Sequence, residues 1–176
     1  MRRLITVATA VMMTIAAFSQ EQKVYEHDYL VKIGDEAPDF TVIEADGATY
    51  RLSDLRGRVV MLQFTASWCG VCRKEMPFIE AEIWQPGQEK GLAVIGIDRD
   101  EPKETVLKFS KDMNITYPLA LDPGADIFGL YALKTAGVTR NVIIDRQGKI
   151  IFLTRLFDRQ EFDRMKEIIF SELASK

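Results

Sequence analysis

The sequence predicts an α/β domain: one central mixed sheet with helices on both faces. Three observations predict it. The runs "VVMLQFTA" and "GLAVIGID", at 59–66 and 91–98, are short and almost continuously apolar, the pattern of strands buried on both faces. Segments of helical periodicity follow each of them. The chain then closes on a strand–turn–strand over 140–155 and an amphipathic helix over 158–173.

Composition fits that class. Of 176 residues, 47% are hydrophobic and 28% charged, enough for one domain with an ordinary core. The formal net charge is -3, and Lys and Arg are scattered among acids, so no basic surface points to nucleic acid.

The elements follow in order. Residues 1–19 have Arg2 and Arg3, an apolar run from Leu4 to Phe18 and small residues at Ala17 and Ser19. This is the layout of a signal peptide cut before Gln20; an uncleaved membrane anchor is the alternative. Residues 20–33 read as an N-terminal arm and 34–176 as the folded domain. "FTVIEADGATYRLSDLRG" reads as a β-hairpin, with strands at 40–44 and 49–52 and a turn at Asp46–Gly47. After the 59–66 strand a helix begins near Cys69, with Cys72, Met76, Ile79 and Ile83 on one stripe and Pro77 expected to kink it. The 101–114 segment is a helix with Pro102 in its first turn and Val106, Phe109 and Met113 inward. Residues 116–133 give a short extended piece and a brief helix from Ala125 to about Tyr131. The 140–155 pair pivots on Gln147–Gly148, and the last helix turns Phe162, Met165, Ile169 and Leu173 inward.

Both cysteines of the chain lie in "FTASWCGVCRKEMP", 64–77. A tetrahedral zinc site wants four ligands, and His27 is the only histidine, so no metal is expected. An exchangeable dithiol suits the context better. A helix starting at Cys69 puts its sulfur among unpaired N–H groups at the positive end of the helix dipole, which favours thiolate. Cys72 lies one turn on, close enough to resolve a mixed disulfide formed at Cys69. Trp68 offers a flat apolar contact surface, and Gly70 lets a partner's backbone come close. Glu75, one turn after Cys72, could hinder thiolate formation and shuttle the proton; the alternative is an ordinary solvated helix Glu.

"FTASWCGVCRKEMP" resembles the active-site segment of the thioredoxin superfamily, in its branch of exported thiol–disulfide oxidoreductases that includes cytochrome c maturation reductases and peroxiredoxin-like relatives. "IGDEAPDFTVIEADGATYRLSDLRGRVVMLQF" and "GVTRNVIIDRQGKI" extend the resemblance over roughly 33–173. It implies a thioredoxin-like fold in which the central 96–123 segment is an inserted strand and helix. By resemblance, Cys69 is the exposed nucleophile, Cys72 the buried resolving cysteine, and Glu75 the acid that tunes the pair. Two departures stand out: Gln63 replaces a buried Asp of classical thioredoxins and cannot act as a base, and Thr139 stands where the family places a cis-proline facing the dithiol. A non-proline bond prefers trans. The Val138 carbonyl and Thr139 amide could still pair with a bound partner strand.

The implied function is disulfide exchange with exported protein substrates through Cys69 and Cys72, as a reductase reset by an upstream thiol electron donor at the membrane, in the periplasm or outside the cell. No cofactor is expected. The alternatives are a thiol peroxidase, with Arg140 near the thiolate, and a non-enzymatic binding module on the same fold.

Overall fold

The computed structural model describes residues 23–175, so the expected signal peptide lies outside the described residues. Five strands form the central sheet: β3 (Val59–Thr65), β4 (Leu92–Arg99), β5 (Leu119–Asp122), β6 (Arg140–Ile144) and β7 (Ile150–Arg155). Their order is β5-β4-β3-β6-β7. β3 runs parallel to β4 and antiparallel to β6, so the sheet is mixed. β3 is buried along its whole length, as its apolar run predicts for a central strand. The hairpin is a separate two-stranded piece, β1 (Thr41–Ile43) with β2 (Thr49–Arg51). It docks on the sheet edge through the Glu44–Ala120 bridge and the Ala45 amide on the Leu119 carbonyl.

Strand alternation divides the core in two. Met61, Val94, Ile143 and Phe152 point to one face, where α1 (Gly70–Phe78), α3 (Lys103–Met113) and α5 (Arg159–Ala174) cover them with Met76, Val106, Phe109, Phe162, Met165 and Ile169. Val60, Leu62, Phe64 and Val142 point to the other, where the hairpin, the arm and the single turn of α4 (Phe128–Tyr131) lie. Helices thus occupy both faces, with the three longer ones on one. On the second face Phe64 meets Phe128 and Tyr131 with ring centroids 5.4 Å apart. The arm contributes Tyr29 and Val31 to that core, and the Leu30 amide donates to the Tyr131 carbonyl.

Pro77 has no N–H to give the preceding turn, and the helix responds by widening. α1 passes into a π-helical stretch, Ile79–Trp84, and then a last turn α2, Gln85–Gly87. Glu82 on that stretch takes Arg159 and Lys166 of α5, and Phe78 stacks on Phe157, so α1 and the closing helix are tied together. Pro102 is the N-cap of α3 and lies just outside its first turn. α5 is capped by Asp158, whose carboxylate accepts from the Glu161 amide at 2.9 Å. The β6–β7 turn is closed by Asp145, which takes the amides of Gln147 and Lys149, and Gly148 supplies the positive φ of 86° it needs. Among the described residues no helix is long and apolar enough to cross a membrane.

Candidate active site

β3 ends at Thr65 in the middle of the sheet, and the chain turns at once into α1. Cys69 is the N-cap of that helix: its backbone is extended (φ −84°, ψ 103°) and its sulfur accepts the Cys72 amide at 3.2 Å. Cys69 and Cys72 form a disulfide with Cα atoms 5.3 Å apart. Cys69 keeps 7% of its surface and Cys72 none, so the pair has an outer and an inner sulfur. Trp68 is 65% exposed beside it. At Gly70 an added Cβ would find nothing within 4 Å, so that position is open.

The loop before β6 faces the pair from the other side. The Thr139 hydroxyl is 3.2 Å from Cys69 Sγ and 3.3 Å from Cys72 Sγ, within hydrogen-bonding distance of both. The Thr139 carbonyl is occupied by the Leu156 amide at 3.1 Å. Among the described residues there are no cis peptide bonds, so Val138–Thr139 is trans. Val138 itself is buried.

Glu75 is buried at 2% exposure and is no solvated helix residue. Its Oε1 accepts Asn141 Nδ2 at 2.7 Å, and the same amide donates to Thr154 Oγ1 at 2.9 Å. The ladder explains the alignment: Asn141 is the cross-strand partner of Gln63 on β3 and of Thr154 on β7. Three polar side chains therefore form a row across the sheet under α1. Gln63 accepts the Tyr117 hydroxyl at 2.7 Å, while its Nε2 and the Glu75 Oε2 have no hydrogen-bond partner. Burial dominates the Glu75 carboxyl and raises it to about 7, against the pull of the Asn141 amide, with Glu161 adding to the rise.

Arg140 does not join the sulfurs. Its guanidinium lies over the Tyr29 ring at 4.5 Å, with Nε donating to the Gly137 carbonyl at 3.0 Å. Among the described residues Arg140 makes no hydrogen bond to either sulfur; its contacts are the Gly137 carbonyl and the aromatic rings. Sequence reasoning missed Asn141 and Thr154. Their only signal was a polar residue inside each of two otherwise apolar strands.

Residues 33–153 match the AhpC/TSA family. The chain belongs to the AhpC/TSA family. Among curated relatives, a thiol-disulfide oxidoreductase ResA of Bacillus cereus is 36% identical over 121 residues, covering 69% of this chain and 68% of that protein. Among solved structures, a candidate protein disulfide isomerase from Bacteroides thetaiotaomicron is 58% identical, with a TM-score of 0.83 over 86% of this chain and 96% of that one. A candidate thiol:disulfide interchange protein DsbE from Chlorobium tepidum is 29% identical, with a TM-score of 0.73 over 82% and 99%. This AhpC/TSA member therefore shares its fold with thiol–disulfide exchange proteins, and the expected thioredoxin-like architecture holds.

Proposed function

We infer that this chain reduces disulfides in exported proteins. It is a thiol–disulfide oxidoreductase, and the pair Cys69–Cys72 is its redox centre. The observation that carries the direction of attack is the asymmetry of the two sulfurs, one at the helix N-cap with residual exposure and one fully buried.

In the reduced enzyme the Cys69 thiolate, stabilised by the α1 N-terminus and the Thr139 hydroxyl, attacks one sulfur of a substrate disulfide. The substrate S–S bond breaks, one of its sulfurs joins Cys69, and the other leaves as thiolate and takes a proton. Cys72 then loses its proton, for which Glu75, with a carboxyl near 7, is the acceptor. The Cys72 thiolate attacks Cys69 Sγ, the mixed disulfide breaks, and the second substrate sulfur departs. Two electrons pass to the substrate; the departing second sulfur takes the Cys72 proton back from Glu75, the first takes its proton from solvent, and the enzyme is left with the disulfide seen in the structure. A thiol electron donor, membrane-bound in this reading, resets it.

Trp68 and the open backbone at Gly70 form one wall for the substrate, and the Val138 carbonyl and Thr139 amide the other. The N-terminal sequence 1–19 supports export to the periplasm or beyond. The test is trapping from an exported-protein fraction. Cys72→Ser should hold partners in reducible complexes at Cys69, and the double variant with Cys69→Ser should hold none. Equal capture by both would overturn the reading.

A further inference from the structure

The turn that leads to Thr139 is held by arginines from two strand ends. The Ala136 amide closes that turn on the Leu133 carbonyl at 2.8 Å. Gly137 follows, and an added Cβ there would meet nothing within 4 Å, so neither a side chain nor its packing fixes the backbone at this point. Hydrogen bonds do. Arg99, the last residue of β4, donates Nη1 to the Ala136 carbonyl at 2.9 Å and Nη2 to the Lys134 carbonyl. Arg140, the first residue of β6, donates Nε to the Gly137 carbonyl at 3.0 Å. The carbonyls of 134, 136 and 137 thus all go to guanidinium groups.

Aromatic rings set the two guanidinium planes. Arg99 Cζ lies 4.4 Å from the Phe128 ring centroid and Arg140 Cζ 5.9 Å from the same ring, while Tyr29 takes Arg140 at 4.5 Å. Arg140 is fully buried with Nη1 and Nη2 unpartnered, so these rings and the Gly137 carbonyl are what offsets the cost of its charge. Phe128 is fixed in turn. Asp122, the cross-strand neighbour of Arg99, accepts the Ile127 and Phe128 amides at 2.7 and 2.9 Å.

Thr139 stands two residues past Gly137, with its hydroxyl in reach of both sulfurs and no ring to lock its own backbone. We propose that Arg99 and Arg140 are positioning residues: by holding the carbonyls of 134, 136 and 137 they keep the Thr139 hydroxyl on the Cys69 and Cys72 sulfurs, where it stabilises the Cys69 thiolate. A guanidinium suits the task because its planar fork carries several donors at fixed angles, and Arg99 uses two of them on carbonyls two residues apart. The consequence for turnover rests on the oxidoreductase reading above; the clamp itself does not.

The experiment reads the pH midpoint of Cys69 alkylation in the reduced protein, with no substrate present. Arg99 is half-buried and is the arginine to change. Arg99→Lys keeps the charge and loses the fork. Its midpoint should rise, by no more than the rise of about 0.7 expected when the hydroxyl itself is removed in Thr139→Val. Combined with Thr139→Val, it should add nothing to that variant. A wild-type midpoint in Arg99→Lys overturns the clamp, because the charge alone would then suffice. A rise that persists on the Thr139→Val background overturns the route through Thr139. Should Arg99→Lys fail to fold, the wild type decides by itself. Its Arg99 Nη protons should give separate 1H–15N resonances protected from exchange, and one averaged, freely exchanging signal overturns the clamp. Wild type inactive in disulfide reduction would sink the oxidoreductase reading alone and leave the alkylation midpoints standing.

Discussion

Two buried carboxyls lie on the α1 side of the sheet, and they are held differently. Glu75, one turn after Cys72, has a fixed donor in Asn141, which Thr154 holds in turn. Asp98, near the end of β4, has no donor at all. Burial raises both, Glu75 to about 7 and Asp98 to about 8. The difference teaches that burial decides whether an acid keeps its proton, while the neighbours decide what the proton can do. A carboxyl with a neutral amide partner can give up and regain its proton near neutrality, as a resolving thiol requires. A carboxyl with no donor keeps its proton because nothing offsets the burial of its charge.

The largest effect tests whether the two sides differ at all. Cys69→Ser should reduce disulfide-reductase activity to background, and Cys72→Ser should do the same while accumulating mixed disulfide. In wild-type reduced protein a bulky alkylating agent should mark Cys69 first, because Cys72 has no exposed surface. Faster labelling of Cys72 would erase the distinction between an outer and an inner sulfur.

Glu75→Gln comes next. Loss of a proton acceptor should slow turnover by about 100-fold, and the pH at which Cys69 becomes reactive should fall, since a carboxylate near the dithiol disfavours thiolate. Stability moves the other way. The folded-state carboxyl sits at about 7, above its ordinary value of 4.5, so its contribution is complete below that ordinary value and is lost as pH rises through 7. In chemical denaturation at alkaline pH, Glu75→Gln should therefore exceed wild type by up to about 3 kcal/mol, and the gap should close in acid. A parallel pair of pH–stability curves would show that Glu75 titrates alike in the folded and unfolded chain.

The contrast between these carboxyls was only half legible in the sequence. Cys69, Cys72 and Glu75 stand at local spacings on one helix, and a helix that starts after a buried strand fixes their relative places. The strands themselves were plain from apolar runs, and β3 came out central and fully buried as its composition required. Gln63, Asn141 and Thr154 are different: each is a lone polar residue in an apolar strand, and only the β3–β6–β7 register brings them into one row. That register is set by long-range pairing, which no local pattern carries. Asp98 was hidden in the same way, because its burial depends on what packs over the end of β4 and not on its neighbours in sequence. The widened helix after Pro77 was foreseen only as a kink, since the sequence shows the missing N–H but not how the next turn absorbs it.

Thr139 should give a smaller effect. Its hydroxyl lies near both sulfurs, so Thr139→Val removes a hydrogen bond to the reduced centre and keeps the shape. A bond of this kind is worth about 1 kcal/mol. The midpoint of Cys69 alkylation should accordingly rise by about 0.7 in pH. An unchanged midpoint would mean that the hydroxyl turns away from the thiolate once the disulfide opens.

The smallest effect belongs to Gly70, and it separates substrate recognition from fold. Gly70 is the first residue of α1, and an added Cβ meets nothing within 4 Å, so the folded chain has room for alanine. Its φ is not in the left-handed region, and alanine restricts the unfolded chain more than glycine does. Gly70→Ala should therefore leave stability equal or raise it by about 0.5 kcal/mol. The same methyl group, however, projects from the open wall beside Cys69, where a partner's backbone is proposed to pass. KM for a protein disulfide should rise a few-fold, while the rate with a small dithiol-reducible probe should stay at the wild-type value. If both substrates are unaffected, the partner approaches from the Thr139 side alone and Gly70 has no part in recognition. If both slow equally, the methyl disturbs the helix N-terminus that holds the thiolate, and the wall reading fails.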